Sequence, residues 1–270
     1  MNKPSLLLAA GCSWVSARAI DTDPELTTYD YNHIEDPTIV EQYSFAGLLK
    51  KKLVLDQIHI LAEHGSSNDK QFEKLIDYID NNLENYSKIY VLWGITSIYR
   101  WEMFSNSTKQ VQTCIIGRGW KNLDLKKETE YYFSHFWNKE YELKKLGTKV
   151  IAISGYLKNL NIDHLFFNAF QSYNNIDLQI TNIDTKNFYQ INEIDNDMVS
   201  FLCKEKNIKI NKSNVPWLNT TRFPVSTQFN NRAIKDLQKI TLLDQATAHP
   251  TIEGHQLIAD ELYRYIENNK

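Results

Sequence analysis

Cysteine, glycine and proline are scarce in this chain: 3, 9 and 6 among 270 residues. Cys12, Cys114 and Cys203 are odd in number and match no disulfide or zinc spacing. A disulfide-stapled scaffold is therefore excluded, and a reducing, cytoplasmic setting is expected. Basic blocks are missing too. With 30 Lys+Arg against 33 Asp+Glu the formal net charge is −3, which argues against a nucleic-acid partner held by charge. No run reaches the roughly 18 apolar residues of a membrane-spanning helix. The apolar stretch at residues 5–10 is shorter than the roughly 7–15 residues of a signal-peptide core, so no membrane association is expected. What is present is 42% hydrophobic residues, 12% of the chain being aromatic, which is enough for a sizeable core.

Because glycine is rare, each one marks a place where the backbone needs it. Residues 5–10, 58–62, 89–93 and 150–154 are short apolar runs, each followed by a glycine: Gly11, Gly65, Gly94 and Gly155. Such runs suit strands buried on both faces of a parallel sheet, with residues 207–210 a weaker fifth candidate. Helical periodicity lies between them. In residues 69–86 Phe72, Leu75, Ile76, Ile79 and Leu83 share one face, and Asn68 with Gln71 forms a capping-box start. Residues 126–146 read as a helix ended by Gly147, residues 251–266 as the last helix, and residues 38–53 as one more. The alternation predicts an α/β, doubly wound fold in a single domain over residues 1–270. Residues 100–125 and 156–200 lack periodicity and are read as loop insertions, either binding loops or surface decoration.

In an open parallel sheet the ligand site lies beyond the carboxyl ends of the strands. Four segments should therefore meet there: Gly11-Cys12-Ser13-Trp14, Gly65-Ser66-Ser67-Asn68, Gly94-Ile95-Thr96-Ser97, and His249-Pro250 before the last helix. A serine, exposed backbone N–H groups and a distant histidine are the parts of acyl transfer. Serine is a weak nucleophile until a base takes its proton, and the tetrahedral oxyanion needs fixed donors.

These blocks, in this order, resemble the SGNH hydrolases, the GDSL-type esterases and lipases. The resemblance implies an αβα three-layer sandwich around a flavodoxin-like parallel sheet of five strands. It implies Ser13 as nucleophile, with its own N–H and that of Gly65 as oxyanion donors, and His249 as base. Thr96 stands where the family carries an asparagine whose side chain completes the oxyanion hole. Cys12 replaces the family's aspartate beside the nucleophile. The usual triad aspartate, three residues before the histidine, is here Ala246, which leaves Asp244, a main-chain carbonyl, or no third member. No cofactor and no metal are implied. The substrate implied is an acyl ester of a small molecule or a carbohydrate, O-deacetylation included. The rival reading is a catalytically degenerate protein that binds a carbohydrate or partner chain in the same cleft.

Other residues have blander expectations. His255 is read as packed or capping, His64 as a solvated loop residue, and Cys12 as inert, because an apolar strand end disfavours thiolate. Arg100 and Glu102 are read as a structural ion pair. Most of Trp14, Trp101, Trp120 and Trp217 are expected in the core, with one or two lining a pocket.

Overall fold

A computed structural model of the chain describes residues 3–16, 37–115, 125–209, 242–243 and 249–270. Its centre is a sheet of four parallel strands, β1 (Ser5–Ala10), β2 (Gln57–Ile60), β3 (Lys88–Ile95) and β6 (Asp163–Asn168), in the order β2-β1-β3-β6. The antiparallel hairpin β4 (Arg100–Ser105) and β5 (Gln110–Ile115) stands apart from it. The helices are α1 (Ser13–Ser16), α2 (Pro37–Tyr43), α3 (Phe45–Lys52), α4 (Asn68–Asn82), α5 (Lys126–His135), α6 (Lys139–Asn159), α7 (Met198–Glu205) and α8 (Ile252–Asn268).

Successive side chains of a strand point to opposite faces, so a run apolar at every position must be covered twice. Leu7, Ala9, Tyr90, Leu92, Leu165 and Phe167 pack against Phe45 and Leu49 of α3, Val199 and Leu202 of α7, and Ile258 and Leu262 of α8. On the other face Leu6, Leu8, Val91, Trp93 and Phe166 meet Leu75 and Ile79 of α4 and Leu146, Val150 and Ile153 of α6. Three layers result, as the α/β reading requires. Among the described residues no helix is long and apolar enough to cross a membrane.

Several boundaries differ from the sequence reading. The expected strand at residues 150–154 lies inside α6, because Leu143, Leu146, Val150, Ile153 and Leu157 form one buried helical stripe. The fourth strand is instead β6. The expected fifth strand also fails: Asn207 takes a left-handed turn with φ 55°, residues 208–209 are not strand, and Ile210 lies outside the described residues. Isolated parallel bridges, Phe166 with Phe188 and Asn168 with Asp197, cover the outer edge of β6. Residues 38–53 form two helices, because the Ser44 side chain accepts from the Gly47 N–H at 2.9 Å and starts α3. The helix expected over 126–146 is likewise split, with Asn138 capping α6 through the Tyr141 N–H at 2.9 Å. Part of the 100–125 insertion is the β4–β5 hairpin.

Gly147 sits within α6 and ends nothing. A Cβ there would lie 2.0 Å from the Leu178 carbonyl oxygen, so this glycine permits a backbone approach. Gly155, on the same helix, would present its Cβ to open space. Replacing each by alanine should therefore act in opposite directions. Gly147→Ala is expected to cost about 1–3 kcal/mol through overpacking against a main chain that cannot swing away. Gly155→Ala is expected to add up to about 1 kcal/mol from helix propensity. Urea midpoints of the two variants check both signs.

Candidate active site

The chain leaves β1 toward the α3 face and leaves β3 toward the α6 face, so a crevice opens between their carboxyl ends. Two glycines close its floor. At Gly11, with φ 146°, a Cβ would sit 2.6 Å from Val15 Cγ2 and 2.8 Å from the Gly94 carbonyl oxygen. At Gly94 it would sit 2.6 Å from the same methyl and 2.8 Å from Phe167 Cζ. Only glycine at both places lets Val15 fold down over the strand ends. The carbonyl of Cys12 accepts from the N–H groups of Val15 (2.9 Å) and Ser16 (3.1 Å), which closes the single turn α1 with Ser13 at its start.

His249 reaches Ser13 from the far end of the chain. Its Nε2 lies 2.7 Å from Ser13 Oγ, across 236 residues of sequence. The segment carrying it is pinned. Thr251 caps α8 by accepting from the Gly254 N–H, its own N–H donates to the Leu242 carbonyl at 2.9 Å, and Leu243 bridges Pro250. A Cβ on Gly254 would lie 2.4 Å from that Leu242 oxygen, so α8 starts hard against the 242–243 backbone. The imidazole of His249 has the Trp14 ring at 6.5 Å and the His64 ring at 6.4 Å, centroid to centroid. His64 therefore borders the site, half-buried in the turn before Gly65.

Gly65 is buried with φ 75°, a left-handed turn at the end of the β2 segment. Thr96 is fully buried after β3, and its Oγ1 has no hydrogen-bond partner among the described residues. Its peptide is held on both sides by one side chain. Asn68 Oδ1 accepts from the Thr96 N–H and Asn68 Nδ2 donates to the Thr96 carbonyl, both at 2.9 Å. Asn68 and Gln71 were expected to cap a helix. The cap of α4 is Ser67, which accepts from the Lys70 N–H at 3.1 Å, and this leaves both amide side chains for the strand-end turns. No local periodicity signals that role.

Arg100 and Glu102 do not pair with each other. Arg100 donates to the Ser66 carbonyl at 3.3 Å and lies over the Phe170 ring, while Glu102 accepts from the hydroxyls of Ser67 and Thr113. Phe170 in turn packs 6.1 Å from Trp14, so Arg100 lies behind the aromatic ring that backs Trp14. Trp14 and Trp101 are buried; Trp120 and Trp217 lie outside the described residues, as do Asp244 and Ala246. Cys12 is fully buried in the core. Among the described residues no group of three His, Cys, Asp or Glu side chains could hold a metal ion.

No protein-family model matches the chain, and no curated protein does. Solved structures show a loose likeness. A GDSL-like lipase from Parabacteroides merdae is 14% identical, with 100% of this chain and 98% of that one covered and a TM-score of 0.39. An acetylxylan esterase from Geobacillus stearothermophilus, in a catalytic mutant, is 13% identical over 98% and 95% of the two chains, with a TM-score of 0.37. A lipolytic G-D-S-L family protein from Veillonella parvula is 10% identical over 96% and 97%, at 0.34. Scores this low carry no argument about chemistry, which rests on the geometry above.

His255, one turn into α8, is buried as expected. Its Nδ1 accepts from the Phe45 N–H at 3.2 Å, and its ring stacks on Phe45. Burial, then the nearby His249, pushes its pKa down to about 3. The unfolded imidazole titrates near 6.5. Below that pH the unfolded chain takes up a proton that the folded chain refuses. Stability should therefore fall with pH between about 6.5 and 3, at about 1.4 kcal/mol per pH unit for this group. Burial also lowers the pKa of His164, which acts in the same direction. His255→Gln keeps an acceptor for Phe45 and should remove one proton's share of that slope. Denaturant unfolding of both proteins from pH 7 to pH 4 measures it, and equal slopes would refute the assignment.

Proposed function

We propose that this chain is an SGNH-type serine esterase, with Ser13 as nucleophile and His249 as general base. The observation that supports it most is the 2.7 Å approach of His249 Nε2 to Ser13 Oγ. That distance lies within the reach a base needs to take the hydroxyl proton as the oxygen attacks a carbonyl. The tetrahedral oxyanion would be met by the N–H groups of Ser13 and Gly65 and by the Thr96 hydroxyl. As it collapses, His249 returns the proton to the departing alcohol. Water, deprotonated by the same imidazole, then hydrolyses the acyl-serine and regenerates both groups.

Asp244 or a main-chain carbonyl of the same segment is the group we assign to orient His249. The substrate class we propose is an acyl ester of a small molecule or a carbohydrate, with deacetylation as the reaction on the latter. The chemistry needs no metal or organic cofactor. We place the protein in the cytoplasm, a reading supported by three cysteines that are free and buried.

A fluorophosphonate probe should label the chain, and p-nitrophenyl acetate should be turned over. Ser13→Ala should abolish both, since removing such a nucleophile costs on the order of 10⁶ in kcat in a serine hydrolase. If the parent protein neither labels nor turns over any ester, the cleft is a binding site and the rival reading stands.

Thr96 offers a finer test. Thr96→Val keeps the shape of the side chain and removes its hydroxyl. If that hydroxyl meets the oxyanion, kcat should drop by about 10²–10³, the cost of one such donor, with KM little changed. Thr96→Ser should retain most activity. Equal rates for the valine and serine variants would make Thr96 a packing residue.

A further inference from the structure

We infer that α4 preorganises the oxyanion-binding turns through two positioning residues, Asn68 and Gln71, an inference that rests on the esterase reading above. Three turns must hold still together for the donors of Ser13, Gly65 and Thr96 to converge, and each follows a different strand. The sheet fixes the strands but not the turns beyond them. Asn68 brackets the turn after β3 through both polar atoms of the Thr96 peptide. Gln71 ties the other two. Its Oε1 accepts from the Gly11 N–H at 2.9 Å, and its Nε2 donates to Ser66 Oγ at 2.8 Å and to the Leu61 carbonyl at 3.4 Å.

Spacing explains how one helix does this. Residues three apart share a helical face, so Asn68 and Gln71 present their amides side by side. Ser67 satisfies the helix N-terminus, so neither amide is drawn into capping. Both side chains are buried, Gln71 completely. In each case the site uses a donor and an acceptor on two separate atoms of one uncharged group, which a side-chain amide supplies. Losing either atom would leave buried main-chain groups without a partner. Every oxyanion donor is a near neighbour of a bracketed atom: Ser13 lies two residues after Gly11, Gly65 precedes Ser66, and Thr96 is itself bracketed.

Donors fixed before the reaction are the source of transition-state stabilisation, and a small misplacement costs rate without touching substrate binding. Asn68→Ala and Gln71→Ala are therefore expected to lower kcat on p-nitrophenyl acetate by about 10–100-fold, with KM within about twofold. Amide hydrogen exchange gives a readout that needs no catalysis. The Thr96 amide should exchange faster in Asn68→Ala, and the Gly11 amide faster in Gln71→Ala. Should an alanine variant fail to fold, Asn68→Asp and Gln71→Glu keep the acceptor, replace the donor by a second oxygen and add a negative charge beside the oxyanion position. These should lower kcat by about tenfold while Thr96 and Gly11 stay protected. An unchanged kcat, a loss confined to KM, or unaltered exchange in the alanine variants would overturn the inference. A parent chain without turnover or probe labelling would overturn the esterase reading instead, and exchange would then judge the bracket alone.

Discussion

The close approach of β1 to β3 at their carboxyl ends is the constraint from which the rest of the site follows. Gly11 and Gly94 leave no Cβ between the two strands, and a single side chain, Val15, fills the space over both. With any larger residue at either place α1 would be lifted off the sheet. Ser13 stands at the head of that turn, so its position is fixed by the packing of an apolar residue two places on. The crevice lies where the crossovers diverge, and Gly11 sits at its edge with a positive φ that an L side chain would strain to adopt.

β1 and β3 were legible because a strand covered on both faces must be apolar throughout, and each shows that run before a glycine. β2, expected over residues 58–62, is Gln57–Ile60, an edge strand that alternates exposed and half-buried residues. The fourth strand was not legible. β6 begins with Asp163 and His164, and His164 is buried with one ring nitrogen at the Ser154 hydroxyl of α6 (2.9 Å) and the other at the Ile162 carbonyl two residues back (3.1 Å). Residues 150–154 looked like a better strand because a five-residue window cannot separate an apolar run from a turn of a buried helix. The longer 3-4 stripe from Leu143 to Leu157 does separate them. The β4–β5 hairpin was hidden for another reason. Its turn puts the left-handed residue at Lys109, with φ 55°, while the one Asn of the turn, Asn106, stands three residues earlier, so the usual signal falls at the wrong position. Gly147 and Gly155 were read as breakers of regular structure, yet both sit inside α6; one is there for a passing carbonyl.

At the site, the legible part was the part encoded by residue type. A serine past β1 and a His-Pro before the last helix pointed to each other across the whole chain, and their side chains are at hydrogen-bond distance. What sequence could not show was which of several local bonds each polar residue would choose. Asn68 and Gln71 fit a capping box by spacing, but Ser67 wins the cap and the two amides turn to partners as distant in sequence as Gly11 and Thr96. Arg100 and Glu102 fit an ion pair, but each finds a nearer partner in the turn after β2. Local pattern names the groups that hydrogen-bond; tertiary geometry decides with what.

Two histidines six residues apart show how that decision divides the chemistry. His249 stands in the loop before α8, partly exposed, with its Nε2 facing a hydroxyl. His255 lies inside the helix, enclosed, with its Nδ1 already accepting a main-chain N–H. A proton arriving at His255 would have to displace that donor and put a charge in a fully buried place, and a charge on His249 opposes it further. Burial thus holds His255 neutral well below the ordinary imidazole range, while His249, before α8, keeps its Nε2 at the Ser13 hydroxyl. The same helix start that pins His249 through Thr251 and Leu242 buries His255 against Phe45. One packed helix end therefore sets the position of one histidine and the protonation state of the other.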